Sequence, residues 1–334
     1  MIAIKMVIVG HQKQLWFLQA AQESGRLGHA FIFSGPDETG KKTAALEWLS
    51  GIFGVPLSAG TAHPDFLFVA PLFDEKTEKI AKEITVDQIR GLIRKLSLKP
   101  SLGKYMAAVI DGAHLMNAEA QNALLKTLEE PPGDALIILI ARNSQRLLET
   151  IRSRCQTMQF GLAGAKELEI MAKDLVSNGA IKSGEDILKE AVDLSFGRPG
   201  RLVKFIADPS LIEKRRADAK EFARIAKSDL AEKFIYAAKV AESENAVETI
   251  EIWQYYFRNL LLEALNPAKV APCDPARCDL GKTEPQFAFS KAKANPLTAE
   301  KISAILKKIH ALSVTLQTTN ASPKLAIENF MLDL

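Results

Sequence analysis

The sequence predicts an α/β domain built on a parallel sheet, followed by two helical bodies. Three observations point there. Up to about residue 160, short runs rich in apolar, β-branched or aromatic residues alternate with helical patterns, as strands covered on both faces and joined by helical crossovers require. After Gly161 the strand pattern stops and amphipathic helical patterns take over. The chain has 334 residues, more than a single core usually spans.

The strands are expected at Ala30 to Ser34, Asp65 to Ala70, Tyr105 to Asp111, Ala135 to Ala141 and Thr157 to Phe160. Beyond them, Lys166 to Val176 and Glu185 to Phe196 read as helices, with Ser183 as cap of the second and Gly197 as its stop. Asp208-Pro209-Ser210 punctuates the chain. Longer helical patterns follow at Leu211 to Glu242, Ala246 to Leu265, Thr298 to Thr318 and from Pro323 onward. The stretch from Asn266 to Pro296 reads as one long irregular connection. The expected bodies are therefore 1–161, 162–208 and 209–334. In Trp253-Gln254-Tyr255-Tyr256-Phe257 aromatic rings recur too densely for one helix face, which suits a helix touching both its own core and a partner, beside plain core packing.

Composition removes several function classes. The chain is 47% hydrophobic and 25% charged, ordinary for a globular protein, and its longest apolar runs fall far short of the ~20 residues that span a bilayer. No basic segment precedes the apolar start and no cleavage pattern follows, so a cytoplasmic protein with no membrane partner is expected. A net charge of +3, from 43 basic and 40 acidic side chains, gives no broad footprint for nucleic acid. Three cysteines suggest a reducing compartment. Cys273 and Cys278 flank a short loop, but two thiolates without further ligands make a poor zinc site.

The first candidate site is Gly35-Pro36-Asp37-Glu38-Thr39-Gly40-Lys41, set between an expected strand and a helix beginning near Lys42. Glycines let backbone N–H groups turn onto a phosphate, the helix N-terminus adds positive charge, and a lysine neutralises the β/γ oxygens. The Ser or Thr that would hold Mg²⁺ after the lysine is replaced by Lys42, and Thr43 comes one position late, rotated about 100° round the helix. Asp37 and Glu38 also place two carboxylates in a loop meant for an anion. Gly35, Gly40 and Lys41 survive, so a vestigial ATP or ADP site stays open while no cofactor is required.

Asp111 ends a buried-strand pattern, where a phosphate-loop enzyme orients the water shell of Mg²⁺. The next position, where such an ATPase carries the glutamate that polarises water, is Gly112. His114 is open to two readings, a substitute base or a packing and capping group.

Asn122-Ala123-Leu124-Leu125-Lys126-Thr127-Leu128-Glu129-Glu130-Pro131-Pro132, then Ser153-Arg154-Cys155, carry a resemblance. With the degenerate loop, His63-Pro64-Asp65, Ile84 to Arg90 and Pro323 to Asn329, they make the chain similar to clamp-loader proteins of the AAA+ class, and within it to the delta-prime subunits of bacterial DNA polymerase III. The resemblance covers most of the chain. It implies a RecA-like AAA+ domain at 1–161, a small helical lid at 162–208, and an all-helical collar at 209–334 through which five subunits assemble.

The resemblance also implies a mechanism. Arg154 would be an arginine finger acting in trans, its guanidinium stabilising charge on the γ-phosphoryl in a neighbour's ATP site; Arg152 is the nearby competitor. Asn143 matches a sensor at the end of a core strand. The lid arginine of active loader subunits falls at Gly200, with Arg198 and Arg201 to either side, a third ATPase element lost. Many relatives carry a four-cysteine zinc module, but no cysteine lies between Thr43 and His63, so no zinc is expected. The expected function is a non-hydrolysing loader subunit that works with gamma/tau motor subunits and the delta subunit to place a sliding clamp on primed DNA. Two rivals stand beside it: an active AAA+ ATPase, and a nucleic-acid-binding module using Lys95, Lys99 and Lys104.

Overall fold

The structure, a computed structural model, describes residues 8–74, 79–81, 83–177, 185–243, 246–265, 298–318 and 322–334. Ser183, Cys273 and Cys278 lie outside the described residues, as does the connection from Asn266 to Pro296. The chain divides into two compact units, 1–209 and 210–334. No helix among the described residues is long and apolar enough to cross a membrane.

The first unit opens with α1 (Gln12–Glu23), β1 (Ala30–Ser34), α2 (Lys41–Phe53), β2 (Phe66–Val69) and a small antiparallel pair, β3 (Phe73–Asp74) and β4 (Lys79–Ile80). It continues through α3 (Val86–Leu96), β5 (Met106–Asp111), α4 (Ala118–Glu129), β6 (Ala135–Ala141), the single turn α5 (Glu149–Arg152) and β7 (Gln156–Gln159). The five long strands form one parallel sheet in the order β2-β5-β6-β1-β7.

Period-2 alternation explains why these strands read as apolar throughout. Phe31, Phe33, Val109, Ile138 and Ile140 pack with Trp48 and Leu49 of α2 in one cluster. Ile32, Ala108, Ile110, Ile137 and Leu139 pack with Ile89 and Leu92 of α3 and Leu124 and Leu128 of α4 in the other. Every residue of β1 and β6 is buried, and each large apolar side chain withdrawn from water contributes about 1.5–3 kcal/mol. The helices start where side-chain caps allow. Thr85 and Gln88 form a capping box on α3, and the Asn117 carboxamide accepts the Ala120 N–H at 2.9 Å on α4.

Three helices complete the unit: α6 (Ala165–Ser177), α7 (Glu185–Ser195) and α8 (Pro199–Ala207). The stop at Gly197 is present, but the chain restarts at once, with Pro199 preorganising the first turn of α8. That helix was not expected. The last strand also sits one residue earlier than expected, at 156–159, and the Phe160 N–H just past its end still donates to the Ser34 carbonyl at 2.7 Å.

The second unit holds α9 (Ser210–Ile225), α10 (Leu230–Glu242), α11 (Ala246–Leu265), α12 (Ala299–Thr318) and α13 (Pro323–Leu332). The single helical pattern expected from Leu211 to Glu242 is two helices, because Asp229 accepts the Glu232 N–H at 2.9 Å and starts α10. Trp253 stacks between Phe222 and Phe330, with centroids 4.9 and 5.5 Å away. Tyr255, Tyr256 and Phe257 are buried as well. The dense ring cluster is therefore taken up by its own core, the plain packing reading of the two that the sequence left open.

Candidate functional site

The loop after β1 is fixed by contacts that leave no latitude in its first residue. The Gly35 N–H donates to the Ala141 carbonyl at 3.2 Å, and a β-carbon at residue 35 would stand 2.0 Å from the Phe160 carbonyl oxygen. Only glycine fits under that strand end. The far end of the loop, Gly40, caps α2, and α2 begins with Lys41, Lys42 and Thr43.

Lys41 is buried and turned back on its own loop. Its ammonium donates to the Gly35 carbonyl at 2.6 Å and to the Pro36 carbonyl. Burial pushes its pKa down to about 8; the charges of Asp37 and Asp111 oppose this, and those of Arg142 and Arg198 add to it. Lys42 pairs with Asp111 at 3.2 Å and lies over the Phe68 ring, 4.7 Å from its centroid. The lysine in the place of the magnesium hydroxyl thus meets the carboxylate that would serve the metal.

Both loop carboxylates are also committed. Asp37 pairs with Arg142. Glu38 receives Arg201 Nε at 3.0 Å and Lys204 Nζ at 2.6 Å, both from α8. Its backbone carbonyl accepts the Gly200 N–H at 2.8 Å. Burial pushes the Glu38 carboxyl up, but hydrogen bonds and charge from Lys204 and Arg201 outweigh it and hold the group below its usual pKa. Gly200, where the resemblance places a lid arginine, is in contact with the loop: a β-carbon there would lie 3.0 Å from the Glu38 carbonyl oxygen.

These groups surround one cavity of about 760 Å³. Gly40, Lys41, Lys42, Thr43 and Asp111 all line it, together with Arg142 and His114. The β5 end is shaped by Gly112, whose φ of +81° is one that residues with a side chain rarely adopt. His114 accepts the Arg142 N–H on Nδ1 at 3.3 Å, and burial, reinforced by the charge of Arg142, lowers its pKa to about 4. It is a neutral acceptor with one nitrogen already engaged, which favours the packing reading over the base.

The remaining expected residues stand elsewhere. Gly35 lies under the strand end, outside the cavity lining. The Asn143 carboxamide accepts the Gln145 N–H at 2.9 Å and caps a 3-10 turn, while its neighbour Arg142 lines the cavity. Arg154 follows α5 with its side chain 34% exposed; Nη1 donates to the Thr150 carbonyl at 2.9 Å and Nη2 meets Glu129 at 2.6 Å. Sequence reasoning missed Arg142 and Lys204, whose partners lie more than a hundred positions away and leave no local signal.

Residues 10–163 match the family described as DNA polymerase III, delta subunit. The chain is 31% identical over 253 residues to the DNA polymerase III subunit delta' of Pseudomonas aeruginosa, which takes in 71% of this chain and 71% of that protein. It is 34% identical over 190 residues to the delta' subunit of Bacillus subtilis, 52% of this chain and 55% of that one. The tau subunit of Bacillus subtilis is 26% identical over 306 residues, 81% of this chain and 52% of its own. The chain thus spans only about half the length of those two Bacillus relatives.

Proposed function

The chain belongs to the delta-prime family of DNA polymerase III clamp-loader subunits, and on that premise we propose that it is a loader subunit that does not hydrolyse ATP and lends Arg154 to a neighbour's ATP site. The observation that carries the reading is the commitment of the loop's own charges. Lys41 is spent on the Gly35 and Pro36 carbonyls, Lys42 on Asp111, and Arg201 and Lys204 on Glu38. A phosphoryl-transfer site needs these cations free to meet developing charge on the phosphate and needs a metal to bridge its oxygens. Gly112 supplies no base, and the contact of Gly200 with Glu38 leaves little space for a sensing arginine.

Arg154 supports the second half of the proposal. Its guanidinium is oriented by Glu129 and Thr150 and keeps a third of its side chain in solvent. A planar, always charged guanidinium is suited to stabilise the γ-phosphoryl of an ATP bound by an adjoining subunit, for which its two terminal nitrogens must exchange Thr150 and Glu129 for phosphate oxygens. The partners in this reading are gamma/tau motor subunits and the delta subunit, with the sliding clamp and primed DNA engaged by the whole assembly.

The test is reconstitution with candidate motor subunits. Arg154→Ala should fold and assemble normally and lower the complex's ATPase roughly 10-fold or more. Unchanged activity would remove Arg154 from the role. The rival, an active ATPase, draws on the similarity to a tau subunit and on the size of the cavity. It requires ATP turnover by the isolated chain that Lys41→Ala abolishes.

A further inference from the structure

Glu38 is held in a backbone conformation that few residues with side chains adopt, at φ +61°. In that conformation its carbonyl meets the Gly200 N–H, and its carboxylate reaches Arg201 and Lys204. Gly200 is the second residue of α8, so the donors are a helix-start amide, a guanidinium whose side chain is only 5% exposed, and an ammonium. Protein sites that take oxyanions use donors of these kinds, a helix-start amide and charge-assisted side chains. Here the amide is taken by the Glu38 carbonyl, and the two cations are taken one on each oxygen of the Glu38 carboxylate. Asp37 likewise pairs with a cation, Arg142, and Asp111 with Lys42.

We propose that the loop is a self-liganded anion site, in which the Glu38 carboxylate takes the position of an external polyphosphate and pins the loop to α8 with no ligand bound. The inference deepens the reading of this loop as a non-hydrolysing one. Two consequences follow from charge alone. A tripolyphosphate entering the cavity must compete with a covalently tethered carboxylate for the same two cations, and it must approach Asp37 and Asp111. Removing the Glu38 charge, by contrast, takes one negative partner from Arg201 and Lys204, and an incoming oxyanion then supplies it.

The experiment is calorimetric titration of sodium tripolyphosphate into the full chain without divalent metal. The unaltered protein should show no saturable binding up to about 1 mM, Glu38→Gln should bind at least ~10-fold more tightly, and Glu38→Gln with Lys204→Gln should lose most of the gain. Equal affinity of the unaltered chain and Glu38→Gln, with matching circular dichroism, would overturn the proposal. A second arm does not depend on Glu38→Gln folding. Lys204 is 65% exposed, and Lys204→Gln in the ligand-free chain should speed hydrogen exchange of the Gly200 amide about 5-fold or more. Unchanged protection there would show that the ion pair does not pin the helix. Neither arm involves Arg154 or a partner subunit, so a failure of the finger reading leaves these outcomes untouched, and the reverse holds as well.

Discussion

Glu129 and Arg154 are paired at 2.6 Å, which ties together the two most distinctive stretches of the sequence, the Leu-Glu-Glu-Pro-Pro segment and Ser-Arg-Cys. Glu129 is the last residue of α4, and Arg154 leaves the turn of α5. The pair is exposed enough to contribute only about 0–1 kcal/mol to folding. Its effect should therefore appear in orientation more than in stability. Glu129→Ala should shift the unfolding free energy by less than ~1 kcal/mol and lower the ATPase of a reconstituted complex a few-fold. A loss of stability with complex activity intact would make the pair structural only.

At Gly200 the constraint is steric. A β-carbon there would meet the Glu38 carbonyl oxygen at 3.0 Å and the Glu38 Cβ at 3.2 Å. Neither neighbour can retreat freely, because the Gly200 N–H bonds to that same oxygen and Glu38 is held by two cations. Gly200→Ala should cost about 1–3 kcal/mol, in the range of overpacked sites, even though alanine is the better helix former. Chemical unfolding of the full chain measures it; a neutral or stabilising result would mean that the loop gives way.

Asp65, of His63-Pro64-Asp65, turns from a weak sequence marker into a structural group. Its buried carboxylate accepts the N–H groups of Ser101, Leu102 and Gly103 at 2.5, 2.8 and 3.0 Å. Burial pushes its pKa up, but those three donors outweigh it and hold the carboxyl below its usual value. Asp65→Ala leaves three amides without their acceptor and should destabilise the chain by about 2–4 kcal/mol. Asp65→Asn, which keeps a carbonyl oxygen, should cost less. Equal effects of the two variants in urea unfolding would argue against the hydrogen bonds as the cause.

What the sequence reveals here follows the range of the interactions. Ala30–Ser34 and Ala135–Ala141 are strands with the expected bounds, because being apolar on both faces is a local property of a central parallel strand. The same locality exposed the misfit of Lys42, Gly112 and the two carboxylates in the loop. The break at Asp229 was written in a cap residue, but the helical composition on both sides outweighed it; the start of α8 was marked only by Pro199, directly after the stop at Gly197. The pairs Asp37 with Arg142 and Glu38 with Arg201 had no local trace. They depend on where β6 and α8 are brought by the fold, and a charged residue carries no period that records its distant partner.

The pH dependence of the first unit should carry the mark of His114. Burial lowers its pKa from 6.5 to about 4, with Arg142, Arg146 and Lys41 acting in the same direction and Asp37 opposing. Between these values the unfolded chain binds a proton that the folded chain refuses, so stability falls as pH drops from about 6.5 toward 4. The loss from this group should amount to ~1–3 kcal/mol at the bottom of the window, allowing for its partial exposure. His11, buried against Phe160 with its pKa also lowered, adds a share of the same sign. His114→Asn, which can still accept the Arg142 N–H, should therefore flatten the acid limb without removing it and leave stability above neutral pH little changed. Urea unfolding at several pH values between 5 and 8 measures both slopes; identical slopes for the variant and the unaltered chain would show that His114 takes up its proton in the folded state as readily as in the unfolded one.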